Sequence, residues 1–255
     1  TLKAAEYFGL AVQSGNEEVL GVNGFGFKGI AGKGPQVASA ARESLLFGPN
    51  SPPIGNPSDL LKACNESSID IVDPINNVRG QHQASDDAVR KCKSAIFFNK
   101  NDDDIWYRYG FALASKAEWT MAKIAYARSA ELGNPIAIAQ FWWIDSQTNP
   151  ERSIKMLQLE AKNGNPWGNY FLGEIYSGSF QEAFLDYKKS EQEYLKAINA
   201  GIIYANYELA VIYSVQRKYD LALKFCQQAA EKIPFASLML GLVYESGEWG
   251  KKDLE

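Results

Sequence analysis

Three stretches decide the fold: Ser129-Ala-Glu-Leu-Gly133-Asn134, Glu160-Ala-Lys-Asn-Gly164-Asn165 and Ile198-Asn-Ala-Gly201. Each closes an apolar-periodic run with an Ala shortly before a Gly, and each is followed by a second run that carries aromatics. Gly ends helices cheaply because it tolerates the left-handed conformation, so each stretch predicts a helix, a tight turn and an antiparallel helix. Nine residues beyond these glycines stand Trp142, Gly173 and Ala210. With Gly110 and Gly241 they form a series at 110, 142, 173, 210 and 241, in steps of 32, 31, 37 and 31. A period of roughly 34 residues is that of stacked helix pairs.

Working outward, the second helices read Phe171-Leu172-Gly173-Glu174-Ile175-Tyr176, Tyr207-Glu208-Leu209-Ala210-Val211-Ile212-Tyr213 and Leu238-Met239-Leu240-Gly241-Leu242-Val243-Tyr244. The small residue at the centre is expected to let the paired backbones approach. The aromatic three positions later shares its helical face and fills the groove beside it. One unit departs from this pattern, with Trp142 in the small position and Asp145 in the aromatic one, and the last unit has Lys232-Ile233-Pro234 in place of the Gly-Asn turn. The fold expected is all-α, a right-handed superhelix or solenoid of antiparallel helix pairs.

Ala161-Lys-Asn-Gly164-Asn165, followed by Leu172-Gly173 and Tyr176-Ser177-Gly178, resembles the Sel-one-like subfamily of tetratricopeptide repeats, over about Asp86 to Trp249. Residues 1–48, with Ala4-Ala5-Glu6-Tyr7-Phe8 and Gly24, Phe27 and Gly29 in register, look like a more degenerate unit. Four prolines and two glycines crowd Phe47 to Pro57, so 49–57 reads as a linker and 58–255 as a cap followed by repeats. A helix is expected from about Ser58 to Glu66, and another beginning near Ser85, whose hydroxyl would cap Asp86-Asp87-Ala88.

The segment from Ala63-Cys64 through Asp73-Pro74 and Gly80 to Cys92 resembles a two-cysteine cap that precedes repeats in secreted bacterial proteins. That resemblance implies a Cys64–Cys92 disulfide and a periplasmic or secreted location. The open alternative is two free thiols in a cytoplasmic protein. Cys226 reads as a small core residue. The chain begins at Thr1 with neither an initiator Met nor a signal-peptide pattern, which leaves room for a targeting segment removed from it.

Composition narrows the chemistry. The 255 residues carry 26 basic and 30 acidic side chains, a net charge of -4, and 46% hydrophobic residues, enough for a core. No basic field is present to gather nucleic acid or anionic lipid, and no run is long and apolar enough to span a bilayer. A single His, His82, and three Cys starve zinc sites and His-based triads, and HExxH, GxSxG and SxxK are missing. The Gly24, Gly26 and Gly29 spacing imitates a dinucleotide fingerprint, but a helical pattern precedes it where a strand is needed. Asp102-Asp103-Asp104 lacks the alternation of a calcium loop and suits a helix N-terminus. No cofactor, metal or catalytic residue is expected.

What remains is a non-catalytic scaffold with a concave face for a protein or peptide, of the kind the resemblance places in bacterial envelope assembly, signalling or host contact. Trp142, Trp143 and Tyr107 are the candidate anchors. The two tryptophans sit about 100° apart on one helix, so they cannot both point the same way. The rival is an envelope enzyme or sugar-binding module that uses groove carboxylates and aromatics. The partner's identity and the oligomeric state are not encoded in any residue pattern found.

Overall fold

The computed structural model describes residues 55–68, 86–179, 182–247 and 249. The degenerate unit at 1–48, nearly all of the 49–57 linker, the Gly24–Gly29 run, His82 and the Ser85 cap lie outside these residues. Among the described residues the elements are helical, and no helix is long and apolar enough to cross a membrane. Two compact units divide the chain between Ile144 and Asp145.

The first unit contains α1 (Pro57–Ser68), α2 (Asp86–Phe98), α3 (Asp103–Ser115), α4 (Trp119–Glu131) and most of α5 (Pro135–Asp145). The second contains α6 (Pro150–Lys162), α7 (Pro166–Tyr176), α8 (Tyr187–Asn199), α9 (Tyr204–Val215), α10 (Tyr219–Ala230) and α11 (Pro234–Ser246), with a 3-10 turn at Glu182–Phe184. Within each unit successive helices pack on their neighbours, an all-α, solenoid-like arrangement.

The expected turns are present. Gly133, Gly164 and Gly201 all have positive φ. In each turn the residue after the glycine donates its N–H back five residues: Asn134 to Ser129 O, Asn165 to Glu160 O and Ile202 to Ala197 O, at 3.2, 2.9 and 2.9 Å. That is the Schellman arrangement, and it satisfies carbonyls a helix end would otherwise leave open. Asn134 then turns its side chain forward, accepting from Ile136 and Ala137 N–H, and Asn165 accepts from Trp167 N–H. Pro135 and Pro166 start the next helix where no amide donor is needed. The Gly-Asn-Pro triplet is therefore a complete stop-and-start signal.

The same hydrogen-bond pattern recurs without glycine between α3 and α4 and between α9 and α10. There Glu118 N–H reaches Leu113 O and Lys218 N–H reaches Tyr213 O, with Ala117 at φ 60° and Arg217 at φ 58°. Asp102 caps α3 as expected of the acidic run, its carboxylate accepting from Ile105 N–H at 3.1 Å.

Packing corrects the role given to the small residues. A Cβ on Gly110 would lie 2.9 Å from the Tyr126 ring, and one on Gly173 would lie 2.6 Å from the Tyr194 ring. Both rings belong to the following helix. The backbone approach inside a Gly-turn pair is made five residues earlier, at Gly168, whose Cβ would fall 2.7 Å from Leu157 O and Ala161 N. Ala137, Ala205 and Ala236 hold the same register position and are fully buried. The most extensive helix–helix joints are nonetheless α3 with α4, α7 with α8 and α9 with α10, each a second helix with the next first helix.

The first helices share one stripe. Ala88/Cys92/Ala95, Ala122/Tyr126/Ser129, Ser153/Leu157/Glu160, Ser190/Tyr194/Ala197 and Ala222/Cys226/Ala229 are buried, at i, i+4 and i+7. Small residues flank a larger one, and Tyr126 and Tyr194 set their rings against Gly110 and Gly173 of the preceding helix. Cys64 and Cys92, bonded to each other, take the register positions held elsewhere by Gly110 and Tyr126.

Candidate functional site

The sequence candidates for partner binding are core residues. Tyr107 lies in α3 with its ring 5.7 Å from Tyr126 and 6.0 Å from Phe111. Trp142 packs edge-on against Phe141 at 5.0 Å. Tyr107, Trp142 and Trp143 are all buried, so none projects as an anchor. The reason is register: Tyr107, Tyr170 and Tyr207 occupy one repeated position, three residues before the small one, and all are buried. Counting tryptophans marked aromatic content but not its direction.

Among the described residues the large aromatics that project include Trp119, 41% exposed at the first turn of α4, and Phe98, 40% exposed at the end of α2. No sequence signal marked Trp119: at i, i+3 and i+7 it shares the helical face of Ala122 and Tyr126, and it is exposed at the first residue of α4. Leu159, Leu185 and Leu221 are also substantially exposed.

The buried carboxylates are tied into the packing. Glu174 in α7 accepts from the Tyr194 hydroxyl at 2.6 Å, and Ser190 Oγ donates to Gly173 O at 2.7 Å beside it. Burial and the nearby Glu174 and Glu208 hold the Tyr194 hydroxyl well above the usual phenol range, so it acts as a donor and not as a phenolate. Tyr126 is raised in the same way, by burial first and Tyr107 second. Asp145, in the position expected to carry an aromatic, accepts from Ser153 Oγ at 3.2 Å, and Glu160 accepts from Asn165 at 3.3 Å. Among the described residues no three His, Cys, Asp or Glu side chains are grouped to hold a metal ion.

Of the three cysteines, Cys64 and Cys92 form the disulfide that the two-cysteine resemblance implied. Both are fully buried. Cys226 is buried and unbonded, and burial pushes its thiol up to about 11, which makes it a poor nucleophile at neutral pH. A disulfide fits an oxidising compartment.

No family model matches the chain, and no curated protein does.

Proposed function

We propose that this chain is a non-catalytic scaffold of the Sel-one-like, tetratricopeptide kind, which binds a protein or peptide segment along a concave face of its stacked helices. Its setting is an oxidising compartment, the periplasm or the cell exterior, where it serves as an adaptor in envelope assembly, signalling or host contact. The observation that carries this reading is the buried stripe shared by five first helices, which commits Tyr126, Tyr194 and Glu160 to the packed core. A row of such joints offers extended surface, and side chains outside the stripe are free to vary with the partner. Glu174, Asp145 and Glu160, carboxylates that a hydrolytic or sugar-binding site would need, are engaged with Tyr194, Ser153 and Asn165.

Capture from the source cell with the folded chain as bait, after chemical cross-linking, tests the proposal. The expected result is one protein recovered repeatedly, with affinity reduced about tenfold or more by Trp119→Ala while the melting temperature stays unchanged. Repeated recovery of no protein would overturn it.

A further inference from the structure

The joint between α1 and α2 is built unlike the others. By register α1 is a second helix like α3, α7 and α9, each of which buries seven or more residues, whereas of residues 57–66 only Cys64 is buried. In the joints of α3 with α4 and α7 with α8 a ring lies on a glycine, Tyr126 on Gly110 and Tyr194 on Gly173. Between α1 and α2 the same two places hold the Cys64–Cys92 bond, with Ala88 and Ala95 beside it on α2. An aromatic side chain can remove about 150–250 Å² from water, and two sulfurs flanked by alanines remove less. The joint of α9 with α10 also lacks the ring, but there α9 contributes buried Tyr207, Leu209, Ile212 and Tyr213.

The remaining contacts of α1 that involve its polar side chains include two within its own turns. Asn56 accepts from Ser58 N–H at 3.1 Å, and Lys62 pairs with Glu66 at 3.7 Å. These stabilise the helix without tying it to α2. A helix of 12 residues is marginal in water when nothing packs on it. The covalent bond therefore holds α1 in place to a degree that α3, α7 and α9 do not require.

We propose that the Cys64–Cys92 bond is a redox latch: reduction by a dithiol releases α1 from α2, uncovers the Ala88, Cys92 and Ala95 stripe, and leaves α3 and α4 folded. The exchange runs in two steps. A thiolate of the dithiol attacks one of the two sulfurs, forming a mixed disulfide and expelling the other sulfur as a thiolate, which takes up a proton. The second thiol of the reductant, as its thiolate, then displaces the remaining protein sulfur, so the reductant leaves as a disulfide and both cysteines end as thiols. Exchange with an oxidised dithiol runs the same steps backwards and closes the latch. Both sulfurs are fully buried, so attack follows fraying of α1 around Cys64, where Lys62 and Glu66 are exposed and Ala63 and Asn65 half-buried. The latch does not depend on the scaffold reading.

Hydrogen exchange of the full chain in native buffer, followed by mass spectrometry with and without excess dithiothreitol, tests it. With reductant the amides of α1 should exchange about tenfold or more faster, while those of α3 and α4 keep their rates. Iodoacetamide should then modify Cys64 and Cys92 but not the buried Cys226. The double variant Cys64→Ala, Cys92→Ala should show fast exchange in α1 without any reductant, and an oxidised dithiol should restore slow exchange in the reduced wild type. Unchanged protection of α1 in the reduced chain would overturn the latch, because packing alone would then hold the helix. Loss of protection through α1 to α4 together, in the reduced wild type or the double variant, would make the bond a staple of the whole unit and overturn it equally. A bond that resists the reductant until the chain is denatured, or that an oxidised dithiol does not re-form, has the same force.

Discussion

At Gly173 a methyl group has no room, since the Tyr194 ring lies where it would go, while at Gly241 it enters open space. The two residues share one register position and should respond oppositely to the same change. Gly173→Ala is expected to destabilise by about 1–3 kcal/mol through overpacking, and Gly241→Ala to stabilise by about 0.5–1 kcal/mol through helix propensity. Urea midpoints of the two variants check this. Cys226 supplies a pH dependence. Its thiol is raised from 9.0 to about 11 by burial, so the folded state holds the proton more tightly than the unfolded one. That stabilisation is complete below pH 9 and is lost as the pH rises through about 11. The urea midpoint of the wild type should therefore fall more steeply between pH 9 and 11 than that of Cys226→Ala. A small buried cysteine was readable from its neighbours in Lys224-Phe-Cys-Gln-Gln-Ala-Ala230. The burial of Trp142 and Trp143 was not, because adjacency on a helix fixes the angle between two side chains and says nothing about what surrounds each.

At the scale of elements, the helix ends divide into those that sequence announces and those it hides. Gly133, Gly164 and Gly201 stand where the chain needs a left-handed residue, and each marks its turn in the sequence. Ala117 and Arg217 adopt the same conformation under the same hydrogen bonds and carry no compositional mark. Tertiary packing holds these two residues in a backbone state that an L side chain disfavours by roughly 1–2 kcal/mol. Gly133→Ala should accordingly cost about 1–2 kcal/mol, with no steric part because its Cβ would meet nothing within 4 Å. Arg217→Gly should raise stability by about 0.5–1 kcal/mol, the relief of strain exceeding the added freedom of the unfolded chain. Thermal melts of both variants decide the signs. The repeat period was legible for the same reason as the turns, since each turn glycine stands nine residues before the fixed position of the second helix. Which small residue carries the backbone approach was not, because Ala137, Gly168, Ala205 and Ala236 differ little from the small residues around them.

For the whole molecule, the chain divides into two compact units, and the disulfide belongs to the first. Sequence showed repeats from Asp86 onward but no boundary near Ile144, where the division falls at the last residue of α5 inside the repeat series. Denatured, unreduced protein should show one free thiol, from Cys226. Reduction should destabilise the first unit by about 3 kcal/mol, the expected effect of a cross-link closing a loop of roughly this length. In a guanidinium titration followed by far-ultraviolet circular dichroism, this would separate two transitions with only one moved by reductant. The partner stayed illegible throughout, since the side chains that could specify it lie outside the packing stripe and obey no period.

The Cys64–Cys92 bond sits where other joints set a ring on a glycine, which makes the joint an interchangeable fitting. One consequence can be built by hand. By register with Tyr126 and Tyr194, Cys226 takes the ring's place and Ala210 the glycine's, and both are buried on helices that pack together. Ala210→Cys should therefore oxidise with Cys226 in air and leave no titratable thiol. The protein would then have two rivets cut to one template, at positions that selection has filled in one unit with sulfur and in others with tyrosine.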